Sequence, residues 1–197
     1  MDPQHPVHLQ LQNPQSPPQF ETIAADWFGA AIAAAPAFRL VLIPGEAIEL
    51  HARANKHPVS AMDSTAGEFC EGLWQHDCAE LFLANPATGH YIEFNIAPNG
   101  AWWSCLLESP RLRARIENLP LDGVVSEGIE GVARWETKLH VPLAALPPEI
   151  GTDIHALRGN VTFCLGSAPR QIYVTYADLG TGTPDFHQPA RWLPVRG

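Results

Sequence analysis

The sequence predicts an all-β fold, an antiparallel β-sandwich of jelly-roll type with one or two short helices. About nine or ten short apolar or alternating runs recur along the chain, as in sandwiches and barrels. These runs are separated by 19 prolines and 15 glycines. No linker or internal repeat divides the chain, so we expect one domain over residues 1–197. Within it, residues 1–20 are expected to form a loose arm or an edge strand.

The first half of the chain contains four predicted elements. The alanine-rich segment Ala24 to Ala35 stops at Pro36 and predicts a short helix. Phe38 to Ile43 and Ala47 to Ala54 predict two strands joined by a Pro-Gly turn. Lys56 to Gly72 is rich in Pro, Ser, Gly and acidic residues, and a loop of that length beside a sheet tends to be functional.

The most regular stretch is Leu73 to Leu107, where two alternating runs bracket a short turn. The hairpin register that this pattern predicts consists of three pairs, Ala84–Tyr91, Phe82–Glu93 and Glu80–Asn95. One face then carries only apolar residues, and the other gathers two carboxylates, an amide and aromatic rings. Rings suit the C–H face of a sugar and oxygens suit its hydroxyls, so the second face is a predicted ligand surface.

The second half of the chain supplies further strands. Val132 to Val141 alternates, and Arg158 to Gly166 and Gln171 to Ala177 form two runs joined by a turn. Pro142 to Leu146 predicts a single helical turn, and Arg191 to Val195 predicts a terminal strand. The second half of the chain is therefore also predicted to consist mainly of strands.

Composition and charge exclude two classes of partner. Apolar residues make up 46% of the chain and charged residues 17%, which is typical of a globular protein. Acidic residues outnumber basic residues by 21 to 12, giving a formal net charge of −9. Nucleic acids and anionic membrane surfaces require clustered Lys and Arg, and Lys56 and Lys138 stand alone. We expect neither as a partner, and the oligomeric state is left open.

The N-terminus has no basic start and no apolar run of signal-peptide length. We therefore expect a protein that is cytoplasmic or otherwise not exported by the usual signal. The four cysteines are widely spaced and show no Cys-x-x-Cys motif. This spacing predicts buried free thiols, although one bridge between neighbouring strands is possible in an exported protein.

Four segments together resemble a known family, the DOMON-like, family 9 type of carbohydrate-binding module. They are Leu73 to Leu83 (LWQHDCAELFL), Tyr91 to Asn95 (YIEFN), Pro98 to Trp102 (PNGAW) and Pro184 to Trp192 (PDFHQPARW). The resemblance spans most of the chain. It implies a jelly-roll sandwich that holds a sugar between aromatic side chains, with polar groups around the hydroxyls.

Individual residues match the family pattern or depart from it. Trp74 matches the tryptophan that opens the motif, Glu80 the acid after it, and Asn95 the asparagine of the second strand. Phe186 stands where sugar-binding members place a stacking tryptophan. Glu93 stands where those members have an arginine, so a hydrogen-bond acceptor replaces a donor at that position.

We therefore expect a non-catalytic module that binds a small molecule or an oligosaccharide. Trp102 and Trp103 are adjacent on a strand and must face opposite ways, so at most one of them lines the site. The candidate ligand-binding residues are Trp74, Asp77, Glu80, Phe82, Tyr91, Glu93, Asn95, Trp102, Phe186 and His187.

Two alternative functions, and the binding of a structural ion, are left open by the sequence. Glu80 and Glu93 could serve as the two carboxyl groups of a glycoside-active enzyme. Some DOMON domains hold haem through Met and His, for which Met62, His57 and His76 are available. No catalytic residue, metal ligand or cofactor is assigned. The resemblance nevertheless allows a structural calcium ion, for which the available acids are Asp63, Glu68, Glu71 and Asp185.

Overall fold

The computed structural model describes residues 6–61, 63–114 and 118–197. The strands are β1 (Leu9–Gln12), β2 (Glu21–Thr22), β3 (Ala37–Ile43), β4 (Ala47–Ala54), β5 (Cys78–Ala84), β6 (Tyr91–Ile96), β7 (Trp102–Ser109), β8 (Leu112–Arg113), β9 (Val125–Glu130), β10 (Trp135–Pro142), β11 (Arg158–Leu165), β12 (Ile172–Thr175) and β13 (Leu193–Arg196). The helical elements of these ranges are 3₁₀ turns at Leu73–Gln75, Leu143–Ala145, Ile154–Ala156 and Pro189–Arg191. In these ranges no helix is long and apolar enough to cross a membrane.

The described strands join into one hydrogen-bonded sheet that curls strongly into a half-barrel. Its order is β8-β7-β6-β5-β11-β13-β1-β3-β4-β10-β9, with β12 beside β11 and β2 beside β3. The all-β prediction is confirmed. The two-layer sandwich and the jelly-roll order are not confirmed, because hydrogen bonds connect these strands into one curled sheet. The pairing is mostly antiparallel, but β1 runs parallel to both β13 and β3.

The predicted hairpin of β5 and β6 is confirmed in its register. Ala84 pairs with Tyr91, Phe82 with Glu93, and Glu80 with Asn95. The apolar residues that alternate with these pairs, among them Leu81 and Phe94, face the main core. The register follows from period-2 alternation, because a slip of one residue would turn the carboxylates into that core.

Both faces of this hairpin are buried, each by a different part of the chain. The main core fills the concave side of the sheet and includes Leu9, Leu50 and Trp135. A second apolar cluster lies on the opposite face of β5, β6 and β7. Residues 178–192, here called the C-terminal loop, cover that cluster with Phe186 and Trp192. The face that was predicted to be a ligand surface is therefore largely roofed by the chain itself.

The predicted helix at Ala24 to Ala35 is wrong, because this segment forms turns closed by a β-bridge. Asp26 Oδ1 accepts hydrogen bonds from the backbone N–H groups two and four residues later, at 2.9 and 2.8 Å. The Trp27 backbone N–H donates to the Tyr173 carbonyl, and its indole Nε1 donates to the Gly182 carbonyl. These long-range bonds and the burial of Trp27 outweigh the weak helix preference of alanine.

The first strand was expected to be a loose arm or an edge strand, and β1 is neither. It lies in the middle of the sheet, where Leu9 pairs with Val195 and Leu11 with Leu40. Both leucines are almost fully buried in the main core. The sequence of a four-residue strand does not predict a central position in the sheet, because its neighbouring strands come from distant parts of the chain. Residues 1–5 lie outside the described part.

Asp77 fixes the start of β5 to two distant loops. Its carboxylate is fully buried and forms an ion pair with Lys56. It also accepts hydrogen bonds from the backbone N–H groups of Val59, at 2.6 Å, and Gly166, at 2.5 Å. These groups leave no place for a ligand on Asp77, and its role is to hold the fold.

We expect Asp77→Asn to lower the free energy of unfolding by about 3 kcal/mol, because the amide removes the buried charge that pairs with the partly buried Lys56. The new NH₂ group also faces backbone donors. Urea unfolding monitored by tryptophan fluorescence measures this change. The matched control is Asp63→Asn, at an exposed site. A loss below about 1 kcal/mol at Asp77 would contradict the assignment.

Candidate functional site

A cavity of about 880 Å³ lies on the face of the sheet that points away from the main core. Strands β5, β6 and β7 form its floor, together with the ends of β11 and β12. The turn Leu73–Gln75 and the C-terminal loop form its walls, and the segment that joins β7 to β8 lies at its rim. The cavity is therefore built from parts of the chain that are far apart in sequence.

Aromatic rings line the walls of this cavity. The rings of Trp74 and Trp103 pack with centroids 5.2 Å apart and planes inclined by 57°. Phe186 contacts Trp27 and Tyr173, at centroid distances of 5.8 and 6.1 Å. Packing of each ring against another limits its rotation, so the walls are already shaped before any ligand enters.

Two carboxyl groups lie on the floor. Glu80 is 3% exposed and Glu93 is 7% exposed. Thr162 Oγ1 donates to Glu80 Oε2 at 2.5 Å, and Asn95 Nδ2 donates to Glu93 Oε1 at 2.9 Å. Burial raises the pKa of Glu80 to about 8, with repulsion from Glu93 adding to the effect, and raises the pKa of Glu93 to about 7.

His187 of the C-terminal loop is held over the floor as a neutral ring. Its Nδ1 lies 2.8 Å from the Tyr91 hydroxyl, which accepts a hydrogen bond from the Arg111 backbone N–H at 3.1 Å. Burial, aided by the charge of Arg111, lowers the pKa of His187 to about 4. We assign the Tyr91 hydroxyl as the donor and His187 Nδ1 as the acceptor. The single N–H of the neutral ring is then on Nε2, which lies 4.0 Å from Glu93 Oε2.

The cavity brings together six of the ten candidate residues. These are Trp74, Glu80, Phe82, Glu93, Phe186 and His187. Tyr91 and Asn95 are buried behind the lining, where they bond to His187 and Glu93. Asp77 lies away from the cavity in the network described above. Trp102 faces the main core, where its ring meets Phe69 edge-on at 4.9 Å.

Sequence reasoning missed several lining residues, among them Trp103, Tyr173 and Arg111. For Trp103 a signal was present, because alternation places it on the same face as Cys105, and Cys105 pairs with Glu93. Tyr173 and Arg111 belong to segments whose approach to the hairpin depends on the fold. No local pattern marks them.

The residues considered for ions and haem do not gather at one place. Glu71 pairs with Arg113 and Asp185 with Arg111. Over residues 6–61, 63–114 and 118–197, no group of three or more His, Cys, Asp or Glu side chains is arranged to hold a metal ion. His57 bonds to the Val132 carbonyl, and His76 lines the cavity. Met62, the proposed haem ligand, lies outside the described residues.

The two floor carboxyls make stability depend on pH. Their folded pKa values lie above the ordinary value of 4.5, so the folded protein holds more protons than the unfolded chain between these values. The stabilisation is fully present below the ordinary value and is lost as the pH rises through the folded values. The wild type is thus expected to unfold more easily at about pH 8 than at about pH 5.

We expect Glu80→Gln to reduce this loss by at least about 1 kcal/mol, because an amide keeps an acceptor for Thr162 and cannot ionise. Urea unfolding at the two pH values measures it. Glu108→Gln, at an exposed site of β7, is the control and should leave the pH dependence as in the wild type. An equal loss in wild type and Glu80→Gln would contradict the assignment.

No protein-family model matches the chain, and no curated protein sequence matches it. Solved structures do resemble it. A protein from Bacteroides uniformis ATCC 8492 that is thought to bind carbohydrate has a TM-score of 0.64 and 17% identity, covering 90% of this chain and 85% of its own. A family 9 carbohydrate-binding module from Caldicellulosiruptor kristjanssonii, solved with cellotriose, has a TM-score of 0.56 and 10% identity, covering 95% and 94%. The chain therefore shares its fold, over nearly its whole length, with carbohydrate-binding proteins of this type.

Proposed function

We propose that this protein is a non-catalytic binding module whose cavity holds a carbohydrate or a related polar ligand. The observation that carries the proposal is the composition of the cavity, which combines aromatic walls with a polar floor. Sugars have apolar C–H faces and a rim of hydroxyl groups, so they need both kinds of surface at once. The fold shared with a module solved with cellotriose supports the same class of ligand.

In this proposal the ligand ring stacks on Trp74, which Trp103 supports from behind. Trp74 is half-buried and stands at the edge of the cavity, where a ring can reach its face. The floor groups then bond to the hydroxyls. His187 offers its Nε2 hydrogen, and the carboxyls of Glu80 and Glu93 act as acceptors or, when protonated, as donors.

A glycoside-active enzyme is less well supported, although Glu80 and Glu93 line one cavity. Hydrolysis needs one carboxyl that stays ionised beside another that holds a proton. Here burial raises the pKa of both groups, so neither is kept ionised by its surroundings. The pair is better suited to binding.

We expect at least one member of a panel of mono- and oligosaccharides to change the tryptophan fluorescence in a saturable way. Trp74→Ala should weaken that binding by at least about tenfold, because it removes the ring on which the ligand stacks. Phe28→Ala is the matched control, because Phe28 is an exposed aromatic residue outside the lining. It should bind as the wild type does. A flat response to every sugar in the panel would sink the proposal.

A further inference from the structure

The floor of the cavity holds two acidic groups without a cationic partner. No Lys or Arg in the described part of the chain forms an ion pair with Glu80 or Glu93. The nearest basic group is His187, whose Nε2 is 4.0 Å from Glu93. That ring is neutral near physiological pH because burial lowers its pKa to about 4. Buried carboxyls that lack a paired cation hold their protons more tightly, and the pKa values of this pair are raised accordingly.

The arginines at the rim do not fill this role, because each is already paired with an acid. Arg111 Nη2 lies 3.0 Å from Asp185 Oδ1. Arg113 Nη2 lies 2.6 Å from Glu71 Oε1, and its guanidinium sits over the Trp103 ring. The two rim arginines thus pair directly with rim acids and act on Glu93 only through space, by lowering its pKa.

One oxygen of each floor carboxyl also lacks a hydrogen-bond donor. Thr162 bonds to Oε2 of Glu80, and Asn95 bonds to Oε1 of Glu93. In the described part of the chain, Glu80 Oε1 and Glu93 Oε2 accept no hydrogen bond. Both side chains line the cavity and are more than nine-tenths buried. The floor therefore offers one further oxygen of each carboxyl to whatever enters.

The aromatic walls favour a cation independently of the acids. The electron-rich faces of Trp and Tyr attract ammonium groups, most strongly where water is excluded. Trp74 and Tyr173 line the same cavity as the two carboxyls, and the Trp103 ring there already carries the Arg113 guanidinium. The net charge of −9 also favours the approach of a cation over that of an anion.

We propose that the ligand is a saccharide with a free amino group, whose ammonium bonds to Glu80 and Glu93 while its ring stacks on Trp74. This inference rests on the proposed function and narrows its ligand class. An ammonium has three donors and one positive charge, and its approach lowers the pKa of the two carboxyls, so that they can ionise and pair with it in the complex. A cavity of about 880 Å³ is far larger than an ammonium alone, so the aromatic walls accommodate the rest of the ligand.

The test uses three β-1,4-linked trimers that differ only at C2 of each ring. Cellotriose carries hydroxyl groups, the N-acetylglucosamine trimer carries acetamides, and the glucosamine trimer carries ammonium groups. Calorimetric titration is done at low salt and at about pH 7, where an ammonium can lower the pKa of the floor carboxyls enough to ionise them on binding. We expect the glucosamine trimer to bind at least about tenfold more tightly than either neutral trimer.

Variants assign the preference to the floor. Glu80→Gln and Glu93→Gln should each reduce the ratio of the two affinities, glucosamine trimer over cellotriose, by at least about fivefold. Glu108→Gln, outside the cavity, should leave the ratio unchanged. Circular dichroism checks folding, and if one variant fails to fold the other provides the same test. An unchanged ratio in the folded floor variants would overturn the inference.

The outcomes separate this inference from the proposed function. Equal affinity for all three trimers, or weaker binding of the glucosamine trimer, overturns the amine assignment and leaves carbohydrate binding in place. Absence of binding by every saccharide overturns both. Ethanolamine is a further probe, because it carries an ammonium without a sugar ring. If it competes as strongly as the glucosamine trimer, the saccharide part of the inference is wrong.

Discussion

The packing of Trp192 on the outer face of the β5–β6 hairpin is the contact on which the rest of the site depends. The indole is fully buried, 5.1 Å from the rings of both Phe82 and Tyr91. Its Nε1 donates to the Phe186 carbonyl at 3.0 Å. This bond fixes the backbone of the C-terminal loop beside the hairpin. Without it, Phe186 and His187 would not stand over the floor, and the cavity would be an open sheet face.

Roofing of the sheet face changes the chemistry of its polar residues. On an open strand face, Glu80 and Glu93 would be solvated carboxylates of ordinary acidity. Under the loop they lose water, which raises the pKa of both groups and lowers that of His187. The same covering that shapes the cavity thus creates groups that can either donate or accept a hydrogen bond near neutral pH. Acidity and shape have one structural cause.

The solved structures that resemble this chain share its fold at 17% and 10% sequence identity. At such low identity a shared fold is a safer inference than a shared ligand. The residues of the cavity floor give information on the ligand that does not depend on the shared fold. Where the sequence resemblance implied an arginine, Glu93 accepts a bond from Asn95 and faces the cavity. An acid at this place reverses the polarity offered to a ligand. The sheet can be kept while what it binds changes.

The sequence by itself determined the sheet-rich class, the hairpin register and the residues that share a face. These follow from short-range alternation, because neighbouring strands joined by a short turn have few ways to pair. Glu80, Phe82 and Glu93 share the cavity side of the hairpin for this reason, and Trp103 could have been placed by the same rule. The central position of β1, the turns around Trp27 and the roofing of the hairpin were decided only by the tertiary structure. Each depends on contacts between residues far apart in the chain, such as Leu9 with Val195 and Trp27 with Gly182. The local sequence pattern carries no information on which distant segment will bury a given face. The cavity was therefore determined by the tertiary structure.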